Sequence, residues 1–397
     1  MKISRRAASV QPSPTLAITA RARALVAQGV DVVSFGAGEP DFDTPDHVKR
    51  AAIEAIEAGF GRYTATAGIP ELRKAIADKH RRENGLDYDE SEILVTVGAK
   101  HAIYEAFQAL VDDGDEVIIP APYWVSYPDM VKLAGGVPVI VEAKAENGFV
   151  PTAEAIREKL TDRTVAVVLN SPSNPTGAVW SQEALASIAK VLEGHDCTII
   201  SDDIYEHLIY TDAPFANILS AAPQLRERTL VVNGLSKSFA MTGWRLGWAA
   251  GPRQLIAAMQ KIQDQSTSNT CSLVQKAAIA ALEGGLECVE QMRVKFAERA
   301  RYVYGRLGAM PGVECPPIAG AFYAFPDVRT LCARSYKGEK VGTDTRLAEI
   351  LINDFQVAVV PGSAFGAPGF MRLSFATSMA QLEKGLDRIE SFVKALD

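Results

Sequence analysis

The sequence predicts an α/β fold with a doubly wound sheet, joined to a smaller α+β unit. Three observations predict it. Seven short apolar runs alternate with helical patterns between about residues 92 and 265. Several of those runs are apolar throughout, as strands are when both faces of a parallel sheet are covered. After about residue 285 the texture changes to a long charged helix, short strands and a closing helix. Strands alternating with helices give the doubly wound class.

The elements follow in chain order. Residues 15–29, LAITARARALVAQGV, read as a first amphipathic helix. Thr44-Pro45 supplies an N-cap and a first-turn proline ahead of HVKRAAIEAIEAG, and Ile69-Pro70 does the same ahead of ELRKAIADKH. The strands are EILVTVG (92–98), DEVIIPA (115–121), VPVIVEA (137–143), TVAVVLN (164–170), CTIISD (197–202), TLVVNG (229–234) and RLGWAAG (245–251). Helices are expected up to about residue 110 and over 126–134, 153–160, 181–193 and 252–265. A charged helix over 286–307 leads to strands near 321–326, 356–360 and 370–375 and a helix over 379–395. The division is a large domain over 46–285, with 1–45 and 286–397 forming the small one, since chain ends often lie close together.

Composition bounds the function. The 397 residues are 48% hydrophobic and 22% charged, so disorder and collagen-like fibres are excluded. The charge is 41 − 48 = −7, which lacks the footprint of a nucleic-acid binder. Five dispersed cysteines without a CxxC argue against a disulfide framework and for a reducing compartment. The five histidines show no metal-ligand spacing, so no metal is expected. No apolar run reaches membrane-spanning length, so no membrane partner is expected. The first 30 residues are basic and carry no acid, as transit peptides do, but lack an apolar core and a cleavage motif. A mature, cytoplasmic chain is expected.

Familiar nucleotide signals are absent. Gly36-Ala37-Gly38 is followed by Pro40 and Asp41 where a dinucleotide loop needs a helix and a third glycine. Another set converges. GLSKSFAMTGWRLGW (234–248) places Lys237 beyond a buried strand, at the sheet edge where open α/β folds bind ligands. Arg245, flanked by Gly243, Trp244 and Gly247, calls for an anionic partner. A lysine nucleophile beside a fixed arginine suits a pyridoxal phosphate site. Asp202 is the first acid after the strand CTII; it could hold a pyridine nitrogen protonated, or simply cap a helix. Tyr205 could bond a phenolic oxygen. Asn174 sits in the double-proline turn NSPSNPTG, and Trp124 in PYWVSYP could stack on a ring or fill the core. VTVGAKHAI (95–103) is a strand, glycine turn and helix start whose amides could bind phosphate.

Together GAGEPDFDTP, RYTATAGIPELR, PYWVSYP, NSPSNPTG, SDDIYEH, GLSKSFAMTGWRLGW and FMRLSFA resemble the class I aminotransferases of PLP fold type I. Within that family the chain is most similar to bacterial aspartate aminotransferases of the aspartate/prephenate type. The likeness runs from about residue 10 to the C-terminus. It implies a large domain built on a mostly parallel, seven-stranded sheet, a smaller α+β domain, and pyridoxal 5'-phosphate as cofactor. It implies that Lys237 binds the cofactor covalently and later acts as acid–base. Asp202 would pair with the ring nitrogen, Tyr205 and Asn174 with the ring oxygen, and Trp124 would stack on the ring. Ser236, Arg245 and the amides of Ala99 and Lys100 would hold the phosphate. Tyr63 would reach the phosphate of a neighbouring subunit, giving a homodimer with composite sites. Arg372 would clamp the substrate α-carboxylate with Asn174 and the Gly38 amide, and Lys100 would meet a distal carboxylate. The implied reaction is a ping-pong transfer from aspartate to 2-oxoglutarate.

Two positions depart from the pattern. Asp203 stands where many relatives have Glu. Gln11 stands where prephenate-active relatives carry Lys, so prephenate is expected to be a poor acceptor. Other readings are an aromatic, alanine or prephenate aminotransferase, a carbon–sulfur lyase of the same fold, and, last, a cofactor-binding regulatory domain of a transcription factor.

Overall fold

A computed structural model describes residues 1–397. Seven strands form the central sheet: β1 (Ile93–Thr96), β2 (Glu116–Ala121), β3 (Val137–Glu142), β4 (Thr164–Asn170), β5 (Thr198–Asp202), β6 (Thr229–Gly234) and β7 (Gly247–Ala250). Their order is β1-β7-β6-β5-β4-β2-β3. All neighbours are parallel except β7, which runs antiparallel to both β1 and β6. Successive side chains on a strand point to opposite faces. Accordingly Val167, Ile199 and Val231 enter one apolar core, while Val168, Ile200 and Val232 enter another on the other face. Both layers are buried, which is why these runs read as continuously apolar.

One run differs from that expectation. VPVIVEA forms β3 at the sheet edge, where Val137 and Ile140 remain exposed. The two residues point to opposite faces of this edge strand, so each face is only partly covered there.

A second core gathers Val33 and Phe35 with Phe296, Phe322, Tyr323, Phe375, Leu386 and Phe392. Val33–Ser34 pairs in parallel with Val357–Ala358. Strands β8 (Tyr323–Ala324), β9 (Val360–Pro361) and β10 (Met371–Ser374) form a small sheet in the order β9-β10-β8.

Local details refine the sequence reading. Helix Pro70–Lys79 starts at its proline, with Ile69 as N-cap. Helix Asp46–Glu57 instead has Pro45 at its N-cap. The Thr44 hydroxyl is drawn away to donate to the Ala240 carbonyl at 2.9 Å. The first long helix, Pro14–Ala27, buries only Ala22 completely, less than an amphipathic surface helix would. Helices Ser272–Glu283 and Asp344–Asp354 were not expected. The former packs against helices Asp46–Glu57 and Pro70–Lys79. No helix is long and apolar enough to cross a membrane.

Candidate active site

Parallel strands end at one sheet edge, so β4, β5 and β6 bring Asn170, Asp202 and the turn after Gly234 side by side. Above this edge lies a cavity of about 850 Å³. It is lined by Gly38, Ala99, Lys100, Trp124, Asn174, Asp202, Tyr205, Ser236, Lys237, Arg245 and Arg372, eleven of the twelve residues singled out from the sequence.

Asp202 is the last residue of β5 and is 4% exposed. Tyr127 Oη donates to its Oδ2 at 2.6 Å, and the Ile204 amide to its Oδ1 at 3.3 Å. Burial pushes its carboxyl up to about 6, against the pull of those bonds and of Lys237. Asp203, one residue on, does not line the cavity. It accepts from Ser201 Oγ at 2.6 Å and Asn217 Nδ2 at 2.8 Å. The two adjacent acids are therefore separated by the alternation of the chain itself.

Lys237 lies in the turn after β6. Its Nζ donates to the Gly38 carbonyl at 2.5 Å and sits 5.9 Å from the Tyr205 ring centre. Burial pushes its ammonium down to about 8, while Glu39 acts in the opposite sense. Tyr205 Oη lies 2.8 Å from Tyr323 Oη.

Arg372, on β10, is 2% exposed and forms no ion pair with a carboxylate. Its Nη1 donates to Asn174 Oδ1 at 2.8 Å and its Nη2 to the Gly36 carbonyl at 2.9 Å. The guanidinium stands 4.5 Å from the Tyr323 ring centre and 4.9 Å from that of Phe365. Its buried Nε has no partner. Burial lowers its pKa from the usual arginine value. A buried cation of this kind is costly unless an anion joins it. Asn174 is fixed in turn, its amide donating to Asn170 Oδ1 at 3.0 Å while Asn170 Nδ2 donates to the Asp202 carbonyl at 3.0 Å.

The other end of the cavity is built for a second anion. Helix Ala99–Leu110 starts at Gly98, whose φ of 83° suits glycine and which provides no side-chain cap. Its first amides are left for a ligand, where the helix dipole also favours negative charge. Arg245 has φ 57° and donates to the Thr242 carbonyl at 2.8 Å and the Val97 carbonyl at 3.3 Å. A Cβ on Gly98 would approach Arg245 Nη2 to 2.6 Å, and one on Gly247 would approach the Ala99 nitrogen to 2.4 Å. Two glycines thus let a strand, a helix start and an arginine converge. Beside them Lys100 Nζ lies 4.8 Å from the Trp124 ring centre and donates to Ser126 Oγ at 3.2 Å. Burial, then the charge of Arg245, lowers the Lys100 pKa.

Two residues lie elsewhere. Tyr63 is 94% exposed and does not line the cavity. Gln11 is exposed and does not line the cavity either. Tyr127, Tyr323, Asn170, Glu39 and Arg23 line the cavity without having been singled out. Tyr127 lies in the same PYWVSYP segment as Trp124, in a turn closed by its amide donating to the Trp124 carbonyl at 3.1 Å.

The family model for aminotransferase class I and II matches residues 30–389. This chain belongs to that family. The aminotransferase is 49% identical over 395 residues to an aspartate aminotransferase of Geobacillus stearothermophilus, covering 100% of both chains. It is 47% identical to an aspartate/prephenate aminotransferase of Nitrosomonas europaea, over 99% of this chain and 100% of that one. Among solved structures, an aspartate aminotransferase from Rhizobium meliloti matches with a TM-score of 0.97, 44% identity and full coverage of both chains. The aspartate aminotransferase from Thermus thermophilus with maleate matches at 0.92 and 46% identity, covering 98% of this chain and 99% of that one.

Proposed function

We propose that this aminotransferase uses pyridoxal 5'-phosphate to exchange an amino group between aspartate and 2-oxoglutarate, as a cytoplasmic homodimer with composite sites. One observation carries the reading. Arg372 is a buried fork with an unpaired Nε and no carboxylate partner, set in the same cavity as the separate anion cradle at Arg245 and as Lys237. The donor set fits the cofactor. The amides of Ala99 and Lys100, Ser236 and Arg245 would hold its phosphate, and Trp124 would cover its ring. Asp202 would keep the ring nitrogen protonated, and Tyr205 with Asn174 would hold the ring oxygen. Bound there, the cofactor supplies an electron sink for bond breaking at the substrate α-carbon.

The remaining work falls to the chain. Arg372 holds the α-carboxylate as a planar fork, with Asn174 and the Gly38 amide beside it. That fixes the substrate, so the α-proton faces one base. Lys237 Nζ takes that proton; burial lowers the cost of presenting it as a free amine. Lys100 holds the distal carboxylate. Its loss removes a charged hydrogen bond of roughly 2–3 kcal/mol, a factor on the order of 30–100.

A half-reaction screen tests the reading, following the cofactor spectrum as each amino acid is added. Aspartate and glutamate should react best, and Lys100→Ala should lower kcat/KM for aspartate far more than for alanine. Preference of the wild-type enzyme for an aromatic or neutral amino acid would sink the dicarboxylate reading. The same screen, with oxaloacetate and prephenate as acceptors, checks the expectation from Gln11 that prephenate is the slower.

A further inference from the structure

One cation in the cavity wall has no task in the scheme above. Arg23 lines the cavity together with Thr15, Leu16, Thr19 and Ala20. These positions recur three to four residues apart, so they form one face of helix Pro14–Ala27. That helix is held against the loop carrying Gly36, where a Cβ would meet Ile18 Cγ2 at 3.5 Å and Thr19 Oγ1 at 3.7 Å. The Gly36 and Gly38 carbonyls bind Arg372 and Lys237. The Arg23 face is therefore registered on the reacting centre.

The two arginines of this helix are deployed differently. Arg21 donates to Asn353 Oδ1 at 2.6 Å, which ties the helix to Asp344–Asp354. Arg23 is exposed and pairs with no acid. It thus keeps a free planar fork at the cavity wall, suited to a carboxylate.

Resting on the dicarboxylate reading, we propose that Arg23 is a specificity-determining residue that binds the distal carboxylate of substrates longer than aspartate. With the α-carboxylate fixed at Arg372, each added methylene carries the far carboxylate outward. Lys100 Nζ is tethered over the Trp124 ring and on Ser126 Oγ. It cannot serve both chain lengths equally, whereas a long, unpaired arginine side chain on the outer helix reaches the longer one.

The test compares the wild-type holoenzyme with R23Q and R23K in half-reactions with aspartate, glutamate, 2-aminoadipate and alanine. Arg23→Gln should lower kcat/KM for glutamate and 2-aminoadipate about two- to fivefold, the range of a solvent-exposed ion pair. Aspartate and alanine should be unchanged, and Arg23→Lys should retain most of the effect. Added salt should shrink the difference. An R23Q enzyme that treats all four substrates as the wild type does, or loses activity equally on all four, overturns the assignment. A wild-type enzyme that turns over neither aspartate nor glutamate overturns the dicarboxylate reading itself, so the two failures are told apart.

Discussion

At the scale of single residues, Asp202 and Lys237 place ionisable groups where burial opposes their charge. The Asp202 carboxyl is raised to about 6 from an ordinary 3.8. Above pH 6 the acid is ionised in both folded and unfolded chains, and the whole cost of burying the charge is present. Below pH 4 both are protonated and the cost is gone, so the penalty grows as pH rises between these values. A shift of about two units corresponds to roughly 3 kcal/mol. Asp202→Asn should therefore stabilise the cofactor-free chain by about 1–3 kcal/mol at pH 8. The gain should shrink towards pH 5, read as urea midpoints, while turnover is nearly abolished. Asp203→Asn, confined to its bonds with Ser201 and Asn217, should leave turnover largely intact; the reverse ranking would overturn the assignment of Asp202. Lys237 has the opposite sign. Its lowered value, about 8, makes the free amine abundant only as pH rises through that point. Covalent capture of pyridoxal phosphate by the cofactor-free chain should accelerate across pH 7–9 and then level off. Lys237→Ala should leave nothing for borohydride to fix, and a pH-independent capture rate would contradict the burial argument.

At the scale of elements, the sheet was legible because burial on both faces writes an unbroken apolar run. All seven central strands lie where apolar runs fall, including the edge strand β3, which is only partly buried. Two helices were not legible, for a stated reason in each case. Helix Ser272–Glu283 follows another helix with no strand between, so strand–helix alternation does not announce it. Helix Asp344–Asp354 begins after a short hairpin, Ser335–Tyr336 with Glu339–Lys340, whose strands are too brief to show a period. In the site, residues in distinctive turns were readable, while Tyr323 was not, because its hydroxyl meets Tyr205 only through a pairing 118 positions apart. Two glycines set the close approach of elements at the phosphate end. Gly247→Ala would drive a Cβ to 2.4 Å from the Ala99 nitrogen. The helix start must shift, at a cost of about 1–3 kcal/mol, and cofactor retention on dialysis should weaken on the order of tenfold. Gly305→Ala, where a Cβ meets nothing within 4 Å, should leave retention unchanged and, in a helix interior, slightly raise Tm.

At the scale of the whole molecule, the surface exposes large apolar and aromatic side chains. Tyr63 is 94% exposed, and Ile53 and Ile56 on helix Asp46–Glu57 are 54% and 60% exposed. The segment bearing Tyr63 is nonetheless braced. Gln275 Nε2 donates to Thr64 Oγ1 at 3.0 Å, and Gln263 Nε2 to the Thr66 carbonyl at 3.0 Å. An aromatic phenol held outward on a fixed segment is suited to meeting a second copy of the chain. With composite sites, one centre would combine Lys237 of one subunit with Tyr63 of the other. In such a dimer, Tyr63→Phe and Lys237→Ala would each damage both centres of their own homodimers. In a mixed dimer, the Tyr63→Phe subunit supplies an intact Lys237 and the Lys237→Ala subunit an intact Tyr63, so one of the two centres is whole. Mixing the variants under conditions of subunit exchange should restore activity towards half of the wild-type value per hybrid dimer. Exchange is checked separately by native mass spectrometry of differently tagged chains. If hybrids form and activity stays at the sum of the two variants, Tyr63 does not act across the interface.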